Sequence, residues 1–202
     1  MPTRGNLTTG PEEHPEYVVL VDEADVQIGV VERLTAHRGT GLLHRAFSAF
    51  VVNEQGQLLV QRRAAGKLLF PGLLTNTCCS HPRPGETVQE AAHRRLQEEM
   101  GFDCDLRPAF SFTYRAQFSS ELAEWEYDHV LVGTYDGPVA ADPGEVADWF
   151  WKPFDRLVPD CARDSRRFTP WFQLAGPRVL AFLSPRNPAV PSRNSRASGR
   201  RP

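Results

Sequence analysis

Residues 87–100 restrict the fold more than any other stretch of the chain. Val88, Ala91, Ala92 and Leu96 recur three and four residues apart, the period of one helix face. Glu86 lies where the positive end of a helix favours an anion, and Gly101 is the residue type that most readily ends one. Strand patterns lie on both sides. Residues 17–21 and 46–52 precede the helix, with Asn53-Glu54-Gln55-Gly56 as a turn into the apolar run 58–60, and the patterns resume at 110–118, 125–135 and 146–151. Thr169-Pro170 reads as the cap and first position of a later helix, which Pro177 is expected to kink or end. Hairpins interleaved with helices, without an internal repeat, predict an α/β (α+β) fold: a mixed β-sheet sandwiched between helices.

A chain of 202 residues with 41% hydrophobic residues has enough apolar material for one substantial core, expected over residues 16–184. Residues 1–15 and 185–202 are rich in Pro, Gly, Ser and charge and are expected to be unfolded tails; the second is basic, with five arginines between positions 186 and 201. A net charge of -2 argues against broad nucleic-acid binding. No apolar run is long enough to span a bilayer, and the first 16 residues lack the zones of a secretory signal, so the expected compartment is the cytoplasm. Cys78, Cys79, Cys104 and Cys161 do not have a metal-finger spacing and are expected to be reduced thiols. The sequence gives no sign of an obligatory protein partner.

The residues able to carry chemistry fall into three groups. In the strand pattern around 124–128, a period of two puts Glu124, Glu126 and Asp128 on one face. On a solvated face that would be ordinary; on an inward face the charge requires a cation. His37, His44 and His81 are candidate partners, and three imidazoles with two carboxylates suit Mn²⁺, Fe²⁺ or Zn²⁺, whereas Mg²⁺ prefers oxygen. The second group is Asn76-Thr77-Cys78-Cys79-Ser80-His81-Pro82, where a thiol beside a metal ligand could exchange protons, or both cysteines could simply pack as small hydrophobes. The third is the helix end. Arg94–Glu98 and Arg95–Glu99 stand four apart as stabilising pairs, while Glu98 and Glu99 could also present carboxylates to Mg²⁺ and a diphosphate, with Arg62, Arg63 and Lys67 meeting the same anion.

Residues 80–102 resemble a Nudix box, in which Glu86, Arg94, Leu96, Glu98, Glu99, Gly101 and Phe102 match, Ser80 replaces the first Gly, and Arg95 replaces the Glu after the Arg. That last departure removes a carboxylate important to a hydrolase. Together with Thr-Ala-His37, Leu-Leu-His44-Arg-Ala-Phe-Ser, Gln-Arg62-Arg63-Ala, Thr-Asn-Thr-Cys-Cys79-Ser-His81-Pro, Phe-Thr-Tyr114-Arg-Ala, Glu124-Trp-Glu126 and Thr-Pro-Trp171, the chain is similar to type I isopentenyl-diphosphate isomerases from about residue 17 to 183.

The resemblance implies a Nudix-type fold and the allylic rearrangement of isopentenyl diphosphate to dimethylallyl diphosphate. It implies Cys79 as the catalytic thiol, with Glu126 and Tyr114 on the opposite face of the substrate. His37, His44, His81, Glu124 and Glu126 would bind one divalent metal, Mn²⁺ or else Zn²⁺, Fe²⁺ or Mg²⁺, and Glu99 would help to hold a second ion, Mg²⁺, on the diphosphate. Arg63, Lys67 and Arg95 match positions near phosphate oxygens, and Arg33 stands where some members have Lys. Trp171 is the aromatic face expected beside a developing carbocation, with Phe70 and Trp125 as weaker candidates. A Nudix pyrophosphohydrolase and a binding module without turnover are the competing functions.

Overall fold

The computed structural model describes residues 16–184, so both expected tails lie outside the described residues. The elements run β1 (Tyr17–Val21), β2 (Gln27–Glu32), α1 (Arg33–His37), β3 (His44–Val52), β4 (Gln57–Arg63), β5 (Leu74–Thr75), β6 (Cys78–Ser80), α2 (Val88–Met100), β7 (Leu106–Gln117), β8 (Ala123–Thr134), β9 (Val146–Pro153), α3 (Phe154–Arg163) and α4 (Pro170–Leu183). Every strand and helix pattern read from the sequence falls on one of them. Pro177 does not end the helix, since α4 runs through it to Leu183.

β3 organises the sheet. It pairs parallel with β8 from His44 opposite Glu126 to Val52 opposite Thr134. β6 lies antiparallel to it, with Ser48 opposite Cys79 and Ala49 opposite Cys78. β7 and β8 form a long antiparallel pair that places Tyr114 opposite Glu126, and β9 pairs antiparallel with β4. The result is the expected mixed sheet. Phe47, Ala49 and Val51 of β3 pack against Ala91, Ala92, Leu96 and Met100 of α2. Phe50 of β3 and Val130 and Val132 of β8 pack instead against Phe154 and Leu157 of α3 and Phe172 and Val179 of α4. Side-chain alternation on one strand therefore serves two cores, one on each face.

Local chemistry fixes the ends of α2. Thr87 caps it through a reciprocal box with Glu90, while Glu86 is held by Arg94 at 2.7 and 2.8 Å. Gly101 closes it at φ 73°, and a Cβ there would lie 2.4 Å from the Ala140 carbonyl oxygen, so the position needs glycine twice over. No helix among the described residues is long and apolar enough to cross a membrane.

Candidate active site

Strand alternation decides which chemistry reaches the cavity. Because Cys79 stands opposite Ser48, and Cys78 opposite Ala49, the two adjacent thiols point to opposite faces of the sheet. Cys78 is buried in the apolar core under α2, and Cys79 lines a cavity of about 550 Å³. Glu124, Glu126 and Asp128 are all buried, so their strand face is the inward one. His44, which is opposite Glu126 on the parallel strand, joins them; His37 ends α1 and His81 follows β6.

One donor atom from each of His37, His44, His81, Glu124 and Glu126 lies within 4.8 Å of all the others. Hydrogen-bond directions show what this cluster requires. His37 Nδ1 is 2.7 Å from the Arg33 carbonyl and His44 Nδ1 is 2.7 Å from the Leu42 carbonyl; carbonyls only accept, so both Nδ1 atoms carry the proton. In the neutral rings each Nε2 is then a lone pair aimed inward. His37 Nε2 faces Glu124 Oε2 at 2.9 Å, and His44 Nε2 faces His81 Nε2 at 3.1 Å and Glu126 Oε1 at 3.7 Å. Lone pairs facing one another need a proton or a metal ion between them; His81 Nε2, also 2.9 Å from Glu126 Oε1, could supply only one proton, and Glu124 Oε2 is a buried oxygen without a hydrogen-bond donor. Burial, reinforced by His37, pushes His44 down to about 4, and burial with the other two rings holds His81 well below its ordinary value. Burial opposes charge on His37 too, but the adjacent Glu124 carboxylate raises it overall. Burial, Glu124 and Asp128 all raise Glu126. One divalent ion answers these demands together, and the donor set of three imidazoles and two carboxylates suits it.

Across the cavity the Cys79 thiol is pushed up to about 12 by burial, against the opposing pull of Arg63, whose NH1 is 3.7 Å from Sγ. Arg63 is anchored by two bonds to the Leu69 carbonyl and lies 5.2 Å above the Trp171 ring. Tyr114 OH donates to Glu126 Oε2 at 2.6 Å, and its ring is 6.2 Å from Trp171. Thiol, tyrosine-bound carboxyl and indole thus border the same space.

The other end of the cavity is cationic. Arg33, Lys67 and Arg95 line it beside Arg63, and Arg33 pairs with Glu16 at 2.8 Å. Two expectations for this end need correcting, at Arg62 and Glu98. Arg62, next to Arg63 on a strand, turns away and donates to the Gly72 carbonyl. Glu98 faces solvent, pairing with Arg94 and Arg95. Glu99 is 1% exposed and sits behind Lys67 and Arg95 rather than on the cavity wall. Trp125 stacks under Arg115 away from the cavity, whereas Phe70 braces Trp171 edge-on at 5.8 Å.

Two residues without a role in the sequence reading belong here. Glu145 bonds both Lys67 and Arg95; it follows a Pro-Gly turn, and nothing local marks it. Asn76 receives Trp171 Nε1–H at 3.0 Å on Oδ1 and donates to the Ala49 and Cys78 carbonyls at 3.1 and 2.8 Å. Its Oδ1 also accepts from Thr75, whose hydroxyl meets that of Thr169 at 2.8 Å. Thr169 therefore spends its hydroxyl on joining α4 to the cysteine segment, and makes no side-chain cap.

The model of the NUDIX domain matches residues 42–172. A curated protein of Aromatoleum aromaticum named Isopentenyl-diphosphate Delta-isomerase 2 is 46% identical over 169 residues, covering 84% of this chain and 89% of that protein. An Isopentenyl-diphosphate Delta-isomerase of Burkholderia multivorans is 49% identical over 157 residues, covering 78% and 89%. Among solved structures, the crystal structure of a Deinococcus radiodurans protein superposes with a TM-score of 0.67 at 25% identity, covering 81% of this chain and 98% of that one.

Proposed function

Because the chain belongs to the isopentenyl-diphosphate Delta-isomerase family, built on a Nudix domain, we propose that it interconverts isopentenyl and dimethylallyl diphosphate by adding one proton and removing another. The observation that carries this reading is the placement of Cys79 and the Tyr114–Glu126 pair around one cavity walled by Trp171. A proton added at the terminal alkene carbon takes the electron pair of the double bond and leaves a tertiary cation. Loss of a proton from the carbon on the other side re-forms the double bond one position along, so the protons balance. Such a reaction needs two proton-exchanging groups flanking a short apolar tail, and Cys79 and Glu126 supply them from separate strands.

Each neighbour has a task in that scheme. Tyr114 holds Glu126 Oε2 and can relay its proton. The Trp171 face stabilises positive charge and, with Phe70 behind it, keeps out water that would trap the cation. Arg33, Arg63, Lys67 and Arg95 hold the diphosphate, whose remote binding fixes the tail. A divalent ion on His37, His44, His81, Glu124 and Glu126, with Mn²⁺, Zn²⁺, Fe²⁺ or Mg²⁺ as the candidates, would compensate the buried charge and keep Glu126 oriented. A Mg²⁺ accompanying the diphosphate is assigned to the Glu99 end. The four free thiols, one of them at the reacting centre, suit a reducing compartment such as the cytoplasm.

Proton NMR of the protein with Mg²⁺ and isopentenyl diphosphate in D₂O tests the proposal. Allylic methyl signals of dimethylallyl diphosphate, carrying solvent deuterium, are expected. Phosphate release with the vinyl group intact would show a hydrolase instead, and an unchanged spectrum with metal bound would overturn catalysis altogether.

A further inference from the structure

Two of the cations at this end of the cavity, Lys67 and Arg95, are already neutralised by the protein itself. Lys67 touches both Glu145 and Glu99, the latter at 3.5 Å, and Arg95 NH2 donates to Glu145 at 2.9 Å and to Glu99. Two cations are thus each shared by the same two carboxylates, and the four charges sum to zero. The carboxylates are not equivalent, because Glu145 lies on the cavity wall and Glu99 behind it. Nor is Glu145 free to swing away with its loop: its N–H donates to the Asp142 carbonyl and its own carbonyl accepts from Ala64 N–H, both at 3.0 Å.

We propose that Glu145 is a specificity-determining residue that makes this end accept a diphosphate together with a divalent cation in preference to the bare diphosphate. The proposal rests on the diphosphate reading above for its substrate class. A bare diphosphate entering here must take Lys67 and Arg95 from Glu145 and leave a fixed carboxylate facing phosphate oxygens, an arrangement of like charges in a half-enclosed space. A diphosphate that carries a divalent cation brings the charge that the displaced carboxylate needs, and hard divalent cations are commonly held by one or two carboxylates plus substrate phosphates. The interleaved carboxylate therefore penalises one form of the ligand and welcomes the other.

The test is calorimetric binding of inorganic diphosphate to the purified protein carrying its own metal, with no added Mg²⁺ and with Mg²⁺ in excess. Glu145→Gln is expected to tighten binding of the bare diphosphate and to weaken or leave unchanged binding of the Mg²⁺ complex, so that the preference collapses by roughly tenfold or more. Glu145→Asp, which keeps the charge, should retain most of the preference. Glu145→Ala repeats the measurement should the Gln variant fold poorly, since the loop is held by backbone bonds. An unchanged preference in Glu145→Gln overturns the proposal, as does an equal loss in Glu145→Asp. Turnover, read separately by NMR, keeps the two ideas apart: a Glu145-dependent Mg²⁺ preference without isomerisation supports this inference and refutes the substrate, and isomerisation with no Glu145 effect does the reverse.

Discussion

The two faces of the central strands are built on opposite terms. Under α2 the sheet presents Phe47, Ala49, Val51, Leu59 and Cys78 to Ala91, Ala92, Leu96 and Met100, a contact that is apolar and closed to water. On the other face the same strands present apolar residues to α3 and α4 at one end, and at the other end His44, two carboxylates and a thiol, joined by His37 from α1 and His81 from just after β6. The first face gains free energy on folding from burial alone. The second buries groups whose desolvation opposes folding and which settle only when a cation joins them. Adjacent residues on one strand, Cys78 and Cys79, fall on the two sides of this divide, so the pair serves as an internal control.

The comparison can be broken most severely at that pair. Cys79→Ala, and separately Glu126→Gln, should each lower kcat by about 10²–10⁴-fold or more in a steady-state assay while thermal unfolding stays close to that of the parent. Cys78→Ala should cost about 1 kcal/mol of stability and change kcat only a few-fold. Equal activity losses at both cysteines would mean that the faces are not divided as described.

Next in size is the packing contact itself. Leu96→Ala removes a fully buried side chain under α2 and should cost about 2–5 kcal/mol in denaturant unfolding. The metal content of its folded fraction should be unchanged, whereas His44→Ala should lose metal stoichiometry. A Leu96 variant that loses metal as readily as His44→Ala would show the faces to be coupled.

A third prediction concerns acid. His44 titrates near 4 in the folded protein, lowered by burial and by His37, against 6.5 in the unfolded chain. Between those values the unfolded chain binds more protons at this group, so the His44 contribution to stability falls as the pH falls from 6.5 to 4, by about 3 kcal/mol in the metal-stripped protein, while the buried Asp128 and Glu126 carboxyls, raised by burial, act in the opposite sense. A residue-resolved NMR titration of the folded, metal-stripped protein checks the His44 contribution, and a midpoint near 6.5 for His44 would refute it. The smallest effect is expected at the start of α2, where Thr87→Ala should remove about 1 kcal/mol and leave both metal content and kcat in place.

Much of the fold was legible because its patterns are local. The helix over residues 88–100 carries its period and its terminal glycine within fifteen positions, and β3, β4, β7, β8 and β9 each show as an apolar run or an alternating pattern between turns. The elements that went unread show why the rest was hidden. β2 leaves Val26, Ile28 and Val30 exposed around it and α1 is five residues long, while α3, although Phe154, Leu157 and Cys161 share one face, starts without a side-chain cap and carries a helix-breaking Pro159. In the site, the resemblance named His37, His44, His81, Glu124, Glu126, Cys79, Tyr114 and Trp171, and the fold brings all of them to one cavity or its edge. Glu145 could not be found the same way, since it matches no motif and its partner Lys67 lies 78 positions distant, and Asn76, although inside the cysteine segment, gained a role only when the fold set it against Trp171, 95 positions on.

The sequence by itself determined the elements, the family and the types of group available, because periodicity, capping and motif spacing are written in neighbouring residues. It also presented Glu124, Glu126 and Asp128 as one face of a strand while leaving open whether that face looked out or in. Only the tertiary structure decided that. The parallel register of His44 with Glu126 and the antiparallel register of Ser48 with Cys79 set which side chains share a face, and a slip of one residue would have exchanged Cys78 for Cys79 in the cavity. The same packing set Glu145 against Lys67 and Arg95, a pairing that arises from distance in space and has no trace in distance along the chain.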